Sequence, residues 1–178
     1  SGDLGGVIGQ WKLQGGSEGA VLSPHTDAVT SMASRAGHLV SGSQDGMVRF
    51  WPRGWPPAKL LEGHTDGVMS VAFSLDATKI ASGSSDCTIR VWDVADYSSR
   101  SLVGHAGEVS GVAFSPAGDY IASSSWDGTV RVWSLQTSEF RELGRATEPF
   151  ACVAFSPDGN TVVGGTSGGT LQCWDLSS

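Results

Sequence analysis

The chain has 178 residues and a formal net charge of −7, with 11 Lys and Arg against 18 Asp and Glu. That balance disfavours a nucleic-acid surface, which rests on clustered Lys and Arg, and no run of the chain is basic. No stretch reaches the roughly 20 apolar residues of a membrane-spanning helix.

The opening residues, SGDLGG, carry neither the basic region nor the apolar core of a signal peptide. The chain lacks an initiator Met, as expected of a processed chain or a portion of a longer one. Three cysteines, Cys87, Cys152 and Cys173, form an odd set without metal-ligand spacing. They are expected to be reduced core thiols of a cytosolic or nuclear protein. The 25 glycines suit a chain full of tight turns.

Tryptophan sets the organisation. Trp51, Trp92, Trp133 and Trp174 each follow the last by 41 residues, and Trp11 precedes Trp51 by 40. An interval of this size marks one structural unit copied several times, whose copies bury their faces by stacking. The first copy runs from His25 to Trp51 and lacks two residues in its first hairpin turn, where deletions are tolerated. A stiff connector, Trp55-Pro56-Pro57, follows it. The second copy spans Gly63 to Val94.

The third copy, Gly104 to Leu135, is the clearest. Val109, Val112 and Phe114 lead into the turn Ser115-Pro116-Ala117-Gly118, and Tyr120-Ile121-Ala122 forms a second apolar run. Asp127-Gly128 is a hairpin signal, and Thr129 to Trp133 alternates like a strand. A weaker fourth strand is expected over Glu139 to Leu143. No window shows a helical period, so each copy reads as about four short antiparallel strands. The fourth copy, Thr147 to Leu176, has diverged but keeps its strands and the Ser156-Pro157-Asp158-Gly159 turn.

These residues resemble the WD-repeat (WD40) family. The likeness rests on Gly-His openings, a VAFSP strand end, an SGSxD segment and a closing Trp-Asp, and it covers nearly the whole chain. The resemblance implies an all-β fold of β-propeller blades, each a four-stranded antiparallel sheet. About four repeats are expected, as part or half of a ring. Residues 1–24 would be the end of a preceding blade, with Val7 to Trp11 as third strand and Ala20 to Leu22 as fourth. Repeats would follow over 25–62, 63–103, 104–145 and 146–178, the last degenerate, with full blades near 28–61, 68–103 and 109–143.

Three copies share polar residues at matching offsets. They are His25, Ser41, Asp45 and Trp51; His64, Ser82, Asp86 and Trp92; and His105, Ser123, Asp127 and Trp133. Ser, His and Asp suggest hydrolase chemistry, but a catalytic site is needed once and three copies would be redundant. The resemblance makes them structural hydrogen-bond tetrads, and buried polar side chains must satisfy one another. The fourth copy has Ala146, Gly164 and Gly168 at these places and keeps only Trp174; Gly5 stands where the first fragment would have its Asp. The fourth blade is therefore expected to be the loosest, or to be held by a neighbour.

Arg49, Arg90 and Arg131 recur two residues before their Trp and are expected to pack between blades. Trp126 breaks the pattern, since the other copies have Gln44, Ser85 and Ser167 there. Its turn lies on a face that WD propellers commonly use for partners. Trp126 is thus a candidate partner-binding residue, with Met69, Glu108 and Phe150 as weaker ones.

The leading expectation is a non-enzymatic protein–protein interaction scaffold: a propeller segment of a larger protein or assembly, with a protein or peptide partner. The other reading is a regulatory or sensor domain of a larger multidomain enzyme, such as a nucleotide-dependent one. No cofactor or metal is expected, since the chain has no P-loop, G-x-G-x-x-G, H-E-x-x-H or C-x-x-C. Four blades would close too tightly, which leaves two arrangements: two chains forming an eight-bladed ring, or further blades outside this chain.

Overall fold

The computed structural model describes residues 2–9, 21–22, 25–53 and 57–177. Trp11, Ala20 and Trp55 lie outside the described residues. Seventeen strands and no helix are found among the described residues.

The strands form meandering antiparallel sheets in chain order. Strands β1 (Ile8–Gly9) and β2 (Val21–Leu22) pair with each other. Blade one comprises β3 (Val29–Arg35), β4 (His38–Ser43), β5 (Val48–Trp51) and β6 (Lys59–Leu61). Blade two comprises β7 (Val68–Phe73), β8 (Lys79–Ser84), β9 (Thr88–Asp93) and β10 (Ser99–Val103). Blade three comprises β11 (Val109–Phe114), β12 (Tyr120–Ser125), β13 (Thr129–Ser134) and β14 (Phe140–Arg145). The fourth blade has three strands, β15 (Phe150–Phe155), β16 (Thr161–Thr166) and β17 (Leu171–Asp175).

Local chemistry explains the turns. In blade one, β3 and β4 are joined by Ala36-Gly37, with φ of 51° and 83°. Two successive positive φ values make the two-residue hairpin whose twist matches its strands, and this is the shortening visible in the sequence. The other blades use Ser-led turns. Ser74 Oγ takes the Lys79 amide at 2.9 Å, and Ser115 Oγ and Ser156 Oγ do the same for Tyr120 and Thr161.

Each first strand begins with the same irregularity. The register shifts between Val29 and Ser31, Val68 and Ser70, Val109 and Gly111, and Phe150 and Cys152. A bulge strengthens local twist and re-aims the side chains beside it. Hydroxyls then tie neighbouring first strands together: Ser31 Oγ accepts from the Val71 amide at 3.1 Å and Ser70 Oγ from Val112 at 3.2 Å. Ser110 Oγ donates to the Phe150 carbonyl at 2.6 Å, and Thr30 Oγ1 donates to that of Val68.

The core lies between blades. Val40, Val48 and Phe50 of blade one meet Val68, Val71, Ile80 and Trp92 of blade two. Ala81, Ile89 and Val91 meet Val109, Val112, Ile121 and Trp133 in the same way. Ala122, Val130 and Val132 meet Phe150 and Val162, with Trp174 partly buried against them. Ile8 and Leu22 cover Leu39 and Trp51. One indole per interface is the physical origin of the 41-residue interval. Burying each large side chain contributes roughly 1.5–3 kcal/mol.

The far face of the fourth blade carries no such cover among the described residues. Leu171 and Cys173 occupy the register positions of Ile89 and Val91, which are buried, yet Leu171 is 72% exposed and Cys173 is also exposed. Cys152 is exposed as well and Cys87 half-buried, so the three free cysteines are not core thiols. Cys152 and Cys173 belong to strands of this uncovered blade, where burial needs a neighbour.

The repeated arginines also reach over the outer strand of their own blade. The Arg131 guanidinium lies 4.3 Å from the Phe140 ring centroid and 3.6 Å from Glu142, both on the outer strand of its own blade. Arg90 donates to Ser99 of its own blade at 3.2 Å. They brace third strand to fourth within a sheet. Two residues apart on a strand, each Arg shares the face of its Trp, and on that face its long stem reaches across to β14 or β10.

The candidate partner-binding edge and the braces beneath it

The loop before each blade and the turn between its second and third strands lie at one edge, held by the same backbone bond four times. The amides of Gln44, Ser85, Trp126 and Ser167 donate to the carbonyls of Ala28, Gly67, Glu108 and Pro149 at 2.8–3.0 Å.

The polar sets sit directly under this edge. His64 Nδ1 is 2.8 Å from Asp86, its Nε2 is 2.8 Å from Ser82 Oγ, and the Trp92 indole donates to that hydroxyl at 2.9 Å. In blade three His105 Nδ1 is 2.9 Å from Asp127, its Nε2 is 2.7 Å from Ser123 Oγ, and Trp133 donates to Ser123 at 2.8 Å. His25 contacts Asp45 at 2.9 Å and Ser41 at 2.6 Å, and Trp51 is buried with its ring 6.5 Å from the imidazole. Donor logic sets the direction: indole N–H to Ser oxygen, Ser O–H to Nε2, Nδ1–H to carboxylate.

Burial holds all three imidazoles below the usual histidine range, against the partial opposition of their Asp partners. Burial works to raise the three carboxyls, but hydrogen bonds outweigh it and hold them below the ordinary value. Neutral His and charged Asp is therefore the resting state. With all three serines fully buried, no hydroxyl is presented to a substrate. The arrangement braces loop to turn.

Several bracing residues carried no assignment from sequence. Thr88 and Thr129 each donate to their Asp at 2.6 Å. Ser43, Ser84 and Ser125 donate to the carbonyls of Asp27, Asp66 and Gly107 at 3.0 Å. The repeated second Ser of the SGSxD segment was the available signal. Ahead of β1, the Gly5 amide donates to Asp3 Oδ1 at 2.9 Å, and Val7 does so at 2.8 Å, so Asp3 organises that turn.

The fourth blade does without the set. Gly168 is exposed, and the turn is closed by Thr166, whose Oγ1 accepts the Thr170 amide at 3.1 Å. Trp174 packs edge-on to Phe150 at 5.9 Å, and a Cβ at Gly144 would stand 2.5 Å from the indole. Blade three thus holds the fourth through a close backbone approach.

On the edge itself, Trp126 is 55% exposed. Met69 is half-buried, and its sulfur accepts from Gln44 Nε2 at 3.7 Å. Glu108 accepts from Ser85 Oγ at 2.9 Å. Both contacts bridge blades. Phe150 is fully buried and is not available to a partner. It is the first residue of β15, in register with the buried Val68 and Val109, and faces blade three.

A family model described as "WD domain, G-beta repeat" matches residues 16–52, 55–93, 97–134 and 141–175. The chain belongs to the WD-repeat family. Each WD repeat closes near its Trp-Asp position, so one sequence unit supplies the outer strand of one blade and the three inner strands of the next. Among curated proteins, CCR4-associated factor 4 of Saccharomyces cerevisiae (strain YJM789) is 53% identical over 36 residues. That match covers 20% of this WD-repeat chain and 6% of the yeast protein.

Proposed function

We propose that this WD-repeat chain is a non-enzymatic interaction module that presents its loop edge, with Trp126 as the anchor, to a protein partner. The observation that carries this is the exposure of a Trp on a turn fixed from below by the Asp127–His105–Ser123 braces. A rigid platform pays little ordering cost on binding, and Trp is among the residues that dominate interface energies. Met69 and Glu108 form the neighbouring parts of the surface. The yeast relative's name speaks of association with another protein. Three free thiols fit a cytosolic or nuclear setting.

Quantitative capture from cell extract tests the reading, comparing the native chain with Trp126→Ala and with Leu75→Ser, a change of an exposed residue at the opposite edge. Specific partners should be lost with the first variant and kept with the second. Unchanged capture of every partner by Trp126→Ala would remove the loop edge as the binding surface.

A further inference from the structure

The residue preceding the turn Asp differs among blades in what it meets. Gln44 and Ser85 reach side chains of the next blade, Met69 and Glu108. For Trp126, the residue of the fourth blade that corresponds to Glu108 is Pro149, which offers no side-chain acceptor. The indole instead stays largely in solvent.

The charge around it has one sign. The edge carries the carboxylates of Asp27, Asp66, Glu108 and Glu148, and none of the four forms an ion pair among the described residues. Segments 25–28, 44–47, 63–67, 85–88, 104–108, 126–128, 146–149 and 167–169 contain no Lys or Arg. The nearby Arg145 is engaged by Glu142 at 3.3 Å, and the buried Arg131 lies between Glu142 and Asp127. Beneath the edge stand the three tetrad carboxylates with uncharged histidines. The opposite edge is mixed, with Arg35 at the end of β3 and Lys79 paired to Asp93. A one-signed surface attracts and orients an oppositely charged partner, and a Trp face binds ammonium or guanidinium groups best among aromatic rings.

Resting on the interaction reading above, we propose that the loop edge docks a cationic peptide segment of its partner, with a Lys or Arg side chain seated on the Trp126 indole and flanked by Glu108 and Glu148. An acidic segment would be repelled. An apolar one would strip water from carboxylates without replacing their partners.

The test is fluorescence anisotropy of the native chain with three labelled short peptides: a Lys/Arg peptide spaced by Gly and Ser, its Glu counterpart, and a neutral Gly/Ser peptide. The cationic peptide should bind at least tenfold tighter than the others, and more weakly as salt is raised. Trp126→Ala should weaken it about fivefold, in line with a partly exposed cation–π contact, while Trp126→Phe restores part of the loss. Glu148→Gln should weaken it, and Glu139→Gln, at the opposite edge, should not. Equal affinity for the three peptides overturns the proposal. So does cationic binding that is indifferent to Trp126→Ala, or equally sensitive to Glu139→Gln and Glu148→Gln. Trp126-dependent binding of the neutral or acidic peptide would overturn the cationic partner while leaving the interaction reading intact. Because Trp126 is exposed, its variants should keep the native circular dichroism.

Discussion

Asp127 and His105 lie 22 positions apart, yet His105 Nδ1 sits 2.9 Å from Asp127 Oδ2. That carboxylate also takes the Ala106 amide at 2.9 Å, so the turn bearing Trp126 is fastened to the loop before β11. The platform's rigidity depends on this link.

Removing its central hydroxyl should destabilise the chain. Ser123→Ala leaves His105 Nε2 and the Trp133 indole N–H without a partner in a fully buried place. The expected loss is about 1–3 kcal/mol, read as a lower urea midpoint. A midpoint equal to that of the native chain would show that the brace contributes nothing net.

Acid should weaken the fold in two stages. The three tetrad histidines have folded pKa values below the ordinary 6.5, chiefly from burial. The unfolded chain therefore takes up their protons first, and stability falls as pH drops below about 6.5. Asp45, Asp86 and Asp127 are held below the ordinary 3.8 when folded, so their contribution is complete above that value and is lost beneath it. Asp76, brought to about 2 by Ser74 and Thr78, adds to the second stage. Urea midpoints at pH 7, 5 and 3 should descend in that order; a flat response from 7 to 5 would contradict neutral buried histidines.

The strands and the tetrads were legible in the sequence because repetition made them so. Ser41, Ser82 and Ser123 could be assigned since each recurs with a His, an Asp and a Trp at fixed offsets. Phe150 was misread because it stands in the diverged copy beside a loop, and its burial depends on a neighbour reached only through inter-blade stacking. Spacing places Arg131 on a strand, but its partners Glu142 and Phe140 on β14 emerge only from register and side-chain packing. Thr88 and Thr129 follow their Asp by two residues, a local hydrogen bond whose signal is faint in any one copy.

Close blade stacking should make two glycines intolerant. A Cβ at Gly42 would lie 2.5 Å from Val68 Cγ1, and one at Gly83 would lie 2.6 Å from Val109 Cγ1. Gly42→Ala and Gly83→Ala are each expected to cost about 1–3 kcal/mol through overpacking. Native-like urea midpoints in both would mean that the blades can separate at no cost.

Trp126→Ala should have the opposite profile to these core changes. Its exposure predicts a stability change within about 0.5 kcal/mol, so a thermal melt should overlay the native curve while partner capture falls. A large drop in melting temperature would make Trp126 a packing residue.

The uncovered face at Leu171 should drive association. Sedimentation of the native chain is expected to show mass above that of a monomer at high concentration, with Leu171→Asp shifting it back. A native chain that stays monomeric at every concentration would show that this face is tolerated in water.

The half-step between WD repeats and blades has an evolutionary consequence. Because each unit lends a strand to the sheet before it and borrows one from the unit after it, gene duplication or deletion of one unit inside the array leaves every internal sheet with four strands. Arrays of this kind can therefore gain or lose one unit by recombination with every internal sheet still complete.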